Sequence, residues 1–311
     1  MTTRLRQDPA PEGRPLPALL LFLAAVFGLG ALLAPWLYLG AQALAAAYPG
    51  ARDLARFPFG TYVNRGLLIV ALAALPLYLR GAGVRRWSDV GLDPRRVLWR
   101  RWAAGFALGF VSLAVVCAVS LAAGGRVFDF AHVGKLPGRL LGALGTAVLV
   151  GVIEELLFRG AIFGTLRRAI AWPAALLASS AIYAIVHFLA KPAPPARVEW
   201  STGLTELPGM LRGFVDVHTV IPALLSLTLA GTVLGLAYRE TGDLWTSIGI
   251  HGGWIFWLKS YGYLTRPAPG ANEWLWGTNK LIDGWFAFGM LVVVLAVVLI
   301  GSRSGRIQAP G

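Results

Sequence analysis

Long apolar runs separated by short polar segments dominate the sequence. We distinguish about eight such stretches, at roughly 16–47, 64–80, 102–124, 138–168, 173–190, 219–238, 243–259 and 283–301. A helix needs about 20 predominantly apolar residues to cross a bilayer, and several stretches are close to that length or longer. The pattern predicts an all-α, polytopic membrane protein of about eight transmembrane helices. We expect residues 1–311 to form a single integral-membrane domain.

Composition supports this interpretation. Hydrophobic residues make up 57% of the 311 positions and charged residues only 14%, whereas soluble domains carry about 25% charged residues. The single cysteine, Cys117, lies inside an apolar stretch, so the chain has no disulfide framework and no thiolate-based metal site.

The net charge of +13 is concentrated in the segments between the apolar stretches. Arginines occur before the first stretch, between the second and third, between the fourth and fifth, between the sixth and seventh, and after the last. With eight crossings, all these segments lie on one side, which the positive-inside rule identifies as the cytoplasm. We therefore predict a multi-pass protein of the cell membrane with both termini cytoplasmic and membrane lipids as neighbours. Basic runs interleaved with aromatic residues at the surface of a soluble domain are absent, so no nucleic-acid partner is expected.

Away from their ends, the predicted spans contain five Asp, Glu, Lys, Arg or His residues, in a region where charge is costly and usually marks a functional site. Glu154, Glu155 and Arg159 belong to the fourth stretch, His187 to the fifth and His251 to the seventh. The fourth and fifth stretches form a predicted hairpin with its tip near residues 170–172. Glu154 and His187 each lie about 16 residues from that tip, or about 24 Å along each helix. We therefore expect them at the same depth.

Spacing separates the roles of the two glutamates. Glu155 and Arg159 are four residues apart and can pair on one helix face, whereas Glu154 is rotated by about 100° and faces elsewhere. A carboxylate in an apolar environment can act on water first as a general base and then as a general acid. The two imidazoles could orient that water, bind a divalent metal or stabilise an oxyanion. Tyr183 lies one turn before His187.

Structural explanations compete with this interpretation. Glu155 and Arg159 could be only an intrahelical ion pair, and each histidine could be a packing residue. The cluster could also serve a non-catalytic membrane protein, either an ion- or proton-coupled transporter or a regulatory scaffold. Transport predicts polar residues at several depths, whereas these converge at one level, and no internal repeat stands out. An enzyme is therefore favoured.

Three short motifs resemble the CaaX-protease and bacteriocin-processing (CPBP, also called ABI) family. They are "EELLFR" from Glu154 to Arg159, "YAIVH" from Tyr183 to His187, and His251 in "SIGIHGGW". The first two match the family pattern fully, and the third matches in its histidine. Members are polytopic intramembrane peptidases that include the type II CaaX prenyl endopeptidases. The resemblance covers about 138–260 and implies a CPBP-like catalytic core there.

The resemblance also implies roles for the polar residues. Glu154 would activate the hydrolytic water with help from His187, and His251 would face the oxyanion. Glu155 and Arg159 would support them. The chain departs from the family at Ile255, because four residues after this histidine the family usually has an amide or another small or polar residue.

The cofactor and the substrate stay open at this point. Glu154, His187 and His251 could ligate a zinc ion with one open position. The chain has no HExxH helix, however, and Glu154 would then be consumed as a ligand unless Glu155 replaced it as base. We favour a metal-independent, glutamate-activated water. The substrate would be a peptide or a membrane-protein segment, for example a lipidated C-terminus or a leader peptide.

Overall fold

The computed structural model describes residues 13–93, 97–130, 133–278 and 282–303. The helices, in chain order, are α1 (Pro15–Ala47), α2 (Arg52–Ala55), α3 (Phe59–Gly81), α4 (Trp99–Ala122), α5 (Leu136–Glu155), α6 (Gly164–Leu166), α7 (Trp172–Phe188), α8 (Thr202–Glu206), α9 (Val217–Thr241), α10 (Trp245–Ser260), α11 (Glu273–Trp276) and α12 (Trp285–Arg303). A π-helix, Leu156–Phe163, joins α5 to α6. Each hydrophobic stretch of the sequence coincides with a helix, which confirms the all-α class.

Two short strands complete the secondary structure. β1 (Arg126–Phe128) pairs antiparallel with β2 (Thr265–Pro267). β1 follows α4, and β2 follows α10 after a turn of 3₁₀-helix at Tyr261–Tyr263.

Five helical segments of the described chain are long and apolar enough to cross a membrane. They are Pro15–Ala47, Phe59–Gly81, Trp99–Ala122, Leu136–Leu166 and Val220–Thr241. Trp172–Phe188 and Trp285–Gly301 are apolar but shorter. The chain is thus a polytopic membrane protein, and the number of eight crossings stays a prediction. The termini, predicted to be cytoplasmic, include residues 1–12 and 304–311, which lie outside the described residues.

The fold divides into two compact units. The first comprises Met1–Arg85 and Phe188–Val215, and in it α1 packs against α3 and α8. Its core includes Ala34, Phe59 and Met210.

The second unit comprises Arg86–His187 and Asp216–Gly311 and contains all the polar residues singled out above. Its centre is α10, which packs against α4, α5 and α9. The prediction of one integral-membrane domain stays a prediction.

Glycines set the close approach of α4 and α10. A Cβ at Gly105 would lie 2.4 Å from the Thr246 carbonyl oxygen, and one at Gly109 would lie 2.1 Å from that of Ile250. The opposite face repeats the arrangement at Gly249 and Gly253, at 2.2 and 2.5 Å from the backbone oxygens of Trp102 and Phe106, respectively. Two small-xxx-small faces therefore interlock, as in tightly packed membrane helices. This contact fixes the position of α10, and with it that of His251.

Small residues also bring α7 and α9 together. Ser180 of α7 is buried, and a Cβ at Gly231 of α9 would lie 2.8 Å from its Cβ. The run of small residues around position 180 thus lets α7 and α9 approach closely.

Polar contacts join arginine-bearing segments of the second unit. Arg101 of α4 pairs with Asp243, just before α10, and donates a hydrogen bond to the Thr241 carbonyl at the end of α9. Arg168, beyond α6, donates to the carbonyl of Asp89. Several arginine-rich connections thus meet at one end of this unit.

Candidate active site

Three helical segments bring the predicted site residues together. Glu154 and Glu155 end α5, and Arg159 lies in the π-helix that follows directly. Tyr183 and His187 lie on α7, and His251 lies on α10. The sequence predicted a regular helix through residue 168, whereas residues 156–163 form the wider π-helix. Such segments are frequent at functional sites.

Glu155 and Arg159 form the buried base of the cluster. Nη1 of Arg159 donates to Oε1 of Glu155 at 2.8 Å, and both side chains are almost fully buried. The pairing expected from the i,i+4 spacing is therefore present. Glu155 also accepts a hydrogen bond from Nδ1 of His251 at 2.7 Å. Sequence spacing gave no signal for this second contact, because it joins positions 96 residues apart on two helices.

Glu154 has a different environment from its neighbour. Its Oε2 lies 3.6 Å from Nε2 of His187 and 3.8 Å from Nε2 of His251. This buried oxygen has no hydrogen-bond partner among the described residues. The Glu154 side chain is 23% exposed and that of His187 is 32% exposed, against 0% for Glu155. Glu154 and His187 are therefore the partly exposed members of the cluster.

Hydrogen-bond partners determine which way each imidazole presents its lone pair. Nδ1 of His187 lies 2.8 Å from the carbonyl oxygen of Tyr183, which can only accept, so this nitrogen carries the hydrogen. Nδ1 of His251 donates to the Glu155 carboxylate. In the neutral rings, both Nε2 atoms are then acceptors that face Oε2 of Glu154.

Three acceptors that converge on one place require a donor between them. Water supplies two hydrogens, and a cation supplies positive charge. The donor set of two imidazoles and one carboxylate suits zinc in kind. However, no group of three or more His, Cys, Asp or Glu residues in the described chain is placed to hold a metal ion. Peptide hydrolysis at a zinc ion would also need a free carboxylate base, and Glu155 is held by Arg159 and His251.

Tyr183 lies closer to the chemistry than its sequence position indicated. Its buried hydroxyl is 3.4 Å from Nε2 of His251. The spacing predicted only a phenol one turn from His187. Ile255, one turn beyond His251, is buried and aliphatic and adds no polar group.

The fold and the cluster together define a polytopic helical membrane protein with two glutamates, two histidines and an arginine gathered inside one unit. Residues 136–257 match the family model described as "Type II CAAX prenyl endopeptidase Rce1-like". This segment covers less than half of the chain and includes every residue of the cluster. The CPBP-type resemblance of the motifs is thereby confirmed.

Over the matched segment the chain is similar to type II CAAX prenyl endopeptidases, a family of membrane proteases. No curated protein and no solved structure matches the chain.

Proposed function

We propose that the protein is an intramembrane endopeptidase that hydrolyses a peptide bond with water activated by Glu154 and His187. The reaction takes place in a membrane-embedded cavity open to the cytoplasm. One observation carries the proposal: the unpartnered Oε2 of Glu154 lies 3.6 Å from Nε2 of His187 and 3.8 Å from Nε2 of His251. A water molecule here donates one hydrogen to Oε2 of Glu154 and the other to Nε2 of His187, which leaves an oxygen lone pair free for attack.

The steps of hydrolysis follow from the positions of these acceptor atoms. As the water oxygen bonds to the peptide carbonyl carbon, one proton passes to Glu154 and the carbonyl π electrons move to its oxygen. Collapse of this tetrahedral intermediate restores the carbonyl and breaks the carbon–nitrogen bond. The protonated Glu154 gives its proton to the departing nitrogen, so the same residue is first base and then acid. His187 orients the water, and His251 faces the oxyanion.

Glu155 and Arg159 hold the reacting groups in place. Because Glu155 accepts from both Arg159 and Nδ1 of His251, it fixes the tautomer and orientation of that ring. Water activation in this proposal is metal-independent, because Glu154 is the base and Glu155 is already hydrogen-bonded to Arg159 and His251.

The proposed substrate is a peptide or membrane-protein segment that reaches the site from the lipid or from the cytoplasm. Arg101 and Arg168 contact other segments of one end of the second unit. This arrangement supports a cytoplasmic location for that end, and we propose the same location for both termini.

The test uses detergent-purified protein with a library of lipidated and unlipidated peptides, analysed by mass spectrometry. The wild type is expected to cleave some of them, and Glu154→Ala, His187→Ala and His251→Ala are expected to lose that cleavage. A parallel series with chelator is expected to leave wild-type cleavage unchanged. Cleavage that survives Glu154→Ala contradicts the mechanism. Loss of activity on chelation with recovery on adding zinc contradicts the metal-independent route.

A further inference from the structure

The Tyr183 hydroxyl is held in a fixed position beside the cluster. Its ring lies edge-on to Phe158, with ring centroids 5.0 Å apart, and 4.3 Å from the ring of His187. The guanidinium carbon of Arg159 lies over the ring, 4.4 Å from its centroid. With the ring buried and contacted by three side chains, the hydroxyl position requires little reorganisation during a reaction.

The hydrogen-bond donors of the cluster show why this hydroxyl is important for an oxyanion. The developing oxyanion of peptide hydrolysis needs a donor. Neutral His187 uses its one N–H on the Tyr183 carbonyl, and neutral His251 uses its own on Glu155. Ile255 offers none. Among the described contacts of the cluster, the Tyr183 hydroxyl brings a hydrogen to Nε2 of His251, which in turn lies 3.8 Å from Oε2 of Glu154.

We infer that Tyr183 is a catalytic residue whose O–H donates a hydrogen bond to the oxyanion of the tetrahedral intermediate. The inference rests on the proposed function and deepens it. In the free enzyme the O–H is directed to Nε2 of His251. When water attacks, the electrons that move to the carbonyl oxygen make it the better acceptor, and the O–H turns to it. No proton leaves Tyr183, and its hydrogen bond to the oxygen breaks when the carbonyl reforms.

The position of Arg159 strengthens this donor. A cation over the face of an aromatic ring is attracted by the ring electrons and draws electron density away from the hydroxyl. The O–H bond becomes more polar and a better donor. Arg159 thus acts on both sides of the site, as partner of the Glu155 carboxylate and through the ring of Tyr183.

The test is Tyr183→Phe, which removes the hydroxyl and keeps the ring that Phe158, His187 and Arg159 contact. The kcat for a cleaved peptide is expected to fall by about 100- to 1,000-fold, with KM little changed. Binding of a phosphinate peptide, whose tetrahedral P–O⁻ imitates the oxyanion, should weaken by a similar factor. Tyr238→Phe is the matched control, because Tyr238 is buried on α9 against Phe163, and it should leave both quantities unchanged.

Restoring a donor provides a second test. 4-Aminophenylalanine at position 183 carries N–H groups in place of the hydroxyl, and it should recover at least about tenfold in kcat over 4-methylphenylalanine at the same position. This pair also decides the matter if Tyr183→Phe does not fold. A Tyr183→Phe enzyme with kcat within about threefold of the wild type, or equal rates for the two analogues, overturns the inference.

The proposed function fails on different grounds. Wild-type protein without cleavage, or a Glu154→Gln variant that still cleaves, contradicts the peptidase mechanism whatever Tyr183 does. A Glu154-dependent peptidase that tolerates Tyr183→Phe contradicts only the role of the phenol.

Discussion

Replacing Gly109 by alanine tests whether the interlock of α4 and α10 holds the site in register. The added Cβ would lie 2.1 Å from the Ile250 carbonyl oxygen, against an ordinary contact of at least 3.4 Å. The obstacle is backbone, so no side-chain rotation relieves it, and α10 must move by about 1 Å. Overpacking of this kind costs about 1–3 kcal/mol of stability. Because His251 follows Ile250 directly, the same shift stretches its 2.7 Å hydrogen bond to Glu155.

The expected results are a lower thermal midpoint in detergent and a loss of about 100-fold in kcat/KM, the scale associated with a misplacement of about 1 Å. The matched control is Gly145→Ala on α5, where an added Cβ has no atom within 4 Å. It should match the wild type in both measurements. If Gly109→Ala and Gly145→Ala behave alike, the close glycine contact does not position His251.

Two further substitutions test the buried arginines. Arg159→Met leaves the fully buried Glu155 without its guanidinium partner and should lower the free energy of unfolding by about 3–5 kcal/mol, measured by equilibrium unfolding in detergent. Adding Glu155→Gln to the same chain should recover part of that loss. If the effects of the two substitutions simply add, the pairing is contradicted. Arg126 donates to the Thr265 hydroxyl and to the carbonyls of Thr265 and Thr278. Arg126→Met should speed proteolytic cleavage around residues 265–278, and an unchanged digestion rate would show that these hydrogen bonds do not hold the segment.

The helices were predictable from the sequence because apolar length is a local property. All eight predicted stretches coincide with helices, and the stretch 243–259, for example, corresponds to α10 (Trp245–Ser260). Depth counting along the 154–187 hairpin predicted that Glu154 and His187 lie at the same depth, and their side chains are 3.6 Å apart in the structure. Both inferences use only the helical rise and the position of a turn.

Other features depend on packing between distant segments, so they could not be predicted in this way. The glycine pairs Gly105/Gly109 and Gly249/Gly253 are visible in the sequence, but nothing local indicates that they face each other. The π-helix at Leu156–Phe163 has no hydrophobic period of its own. The contact of His251 with Glu155, rather than Glu154 alone, follows from the docking of α10.

The rate of peptide cleavage by Glu154→Gln tests the central claim most directly. This variant keeps the size of the side chain and removes the base, and Glu273→Gln, which changes an exposed glutamate on α11, is its control. With a peptide that the wild type cleaves, we predict a fall in kcat of about 100- to 10,000-fold for Glu154→Gln and none for the control. A Glu154→Gln enzyme that cleaves at the wild-type rate would show that another group activates the water.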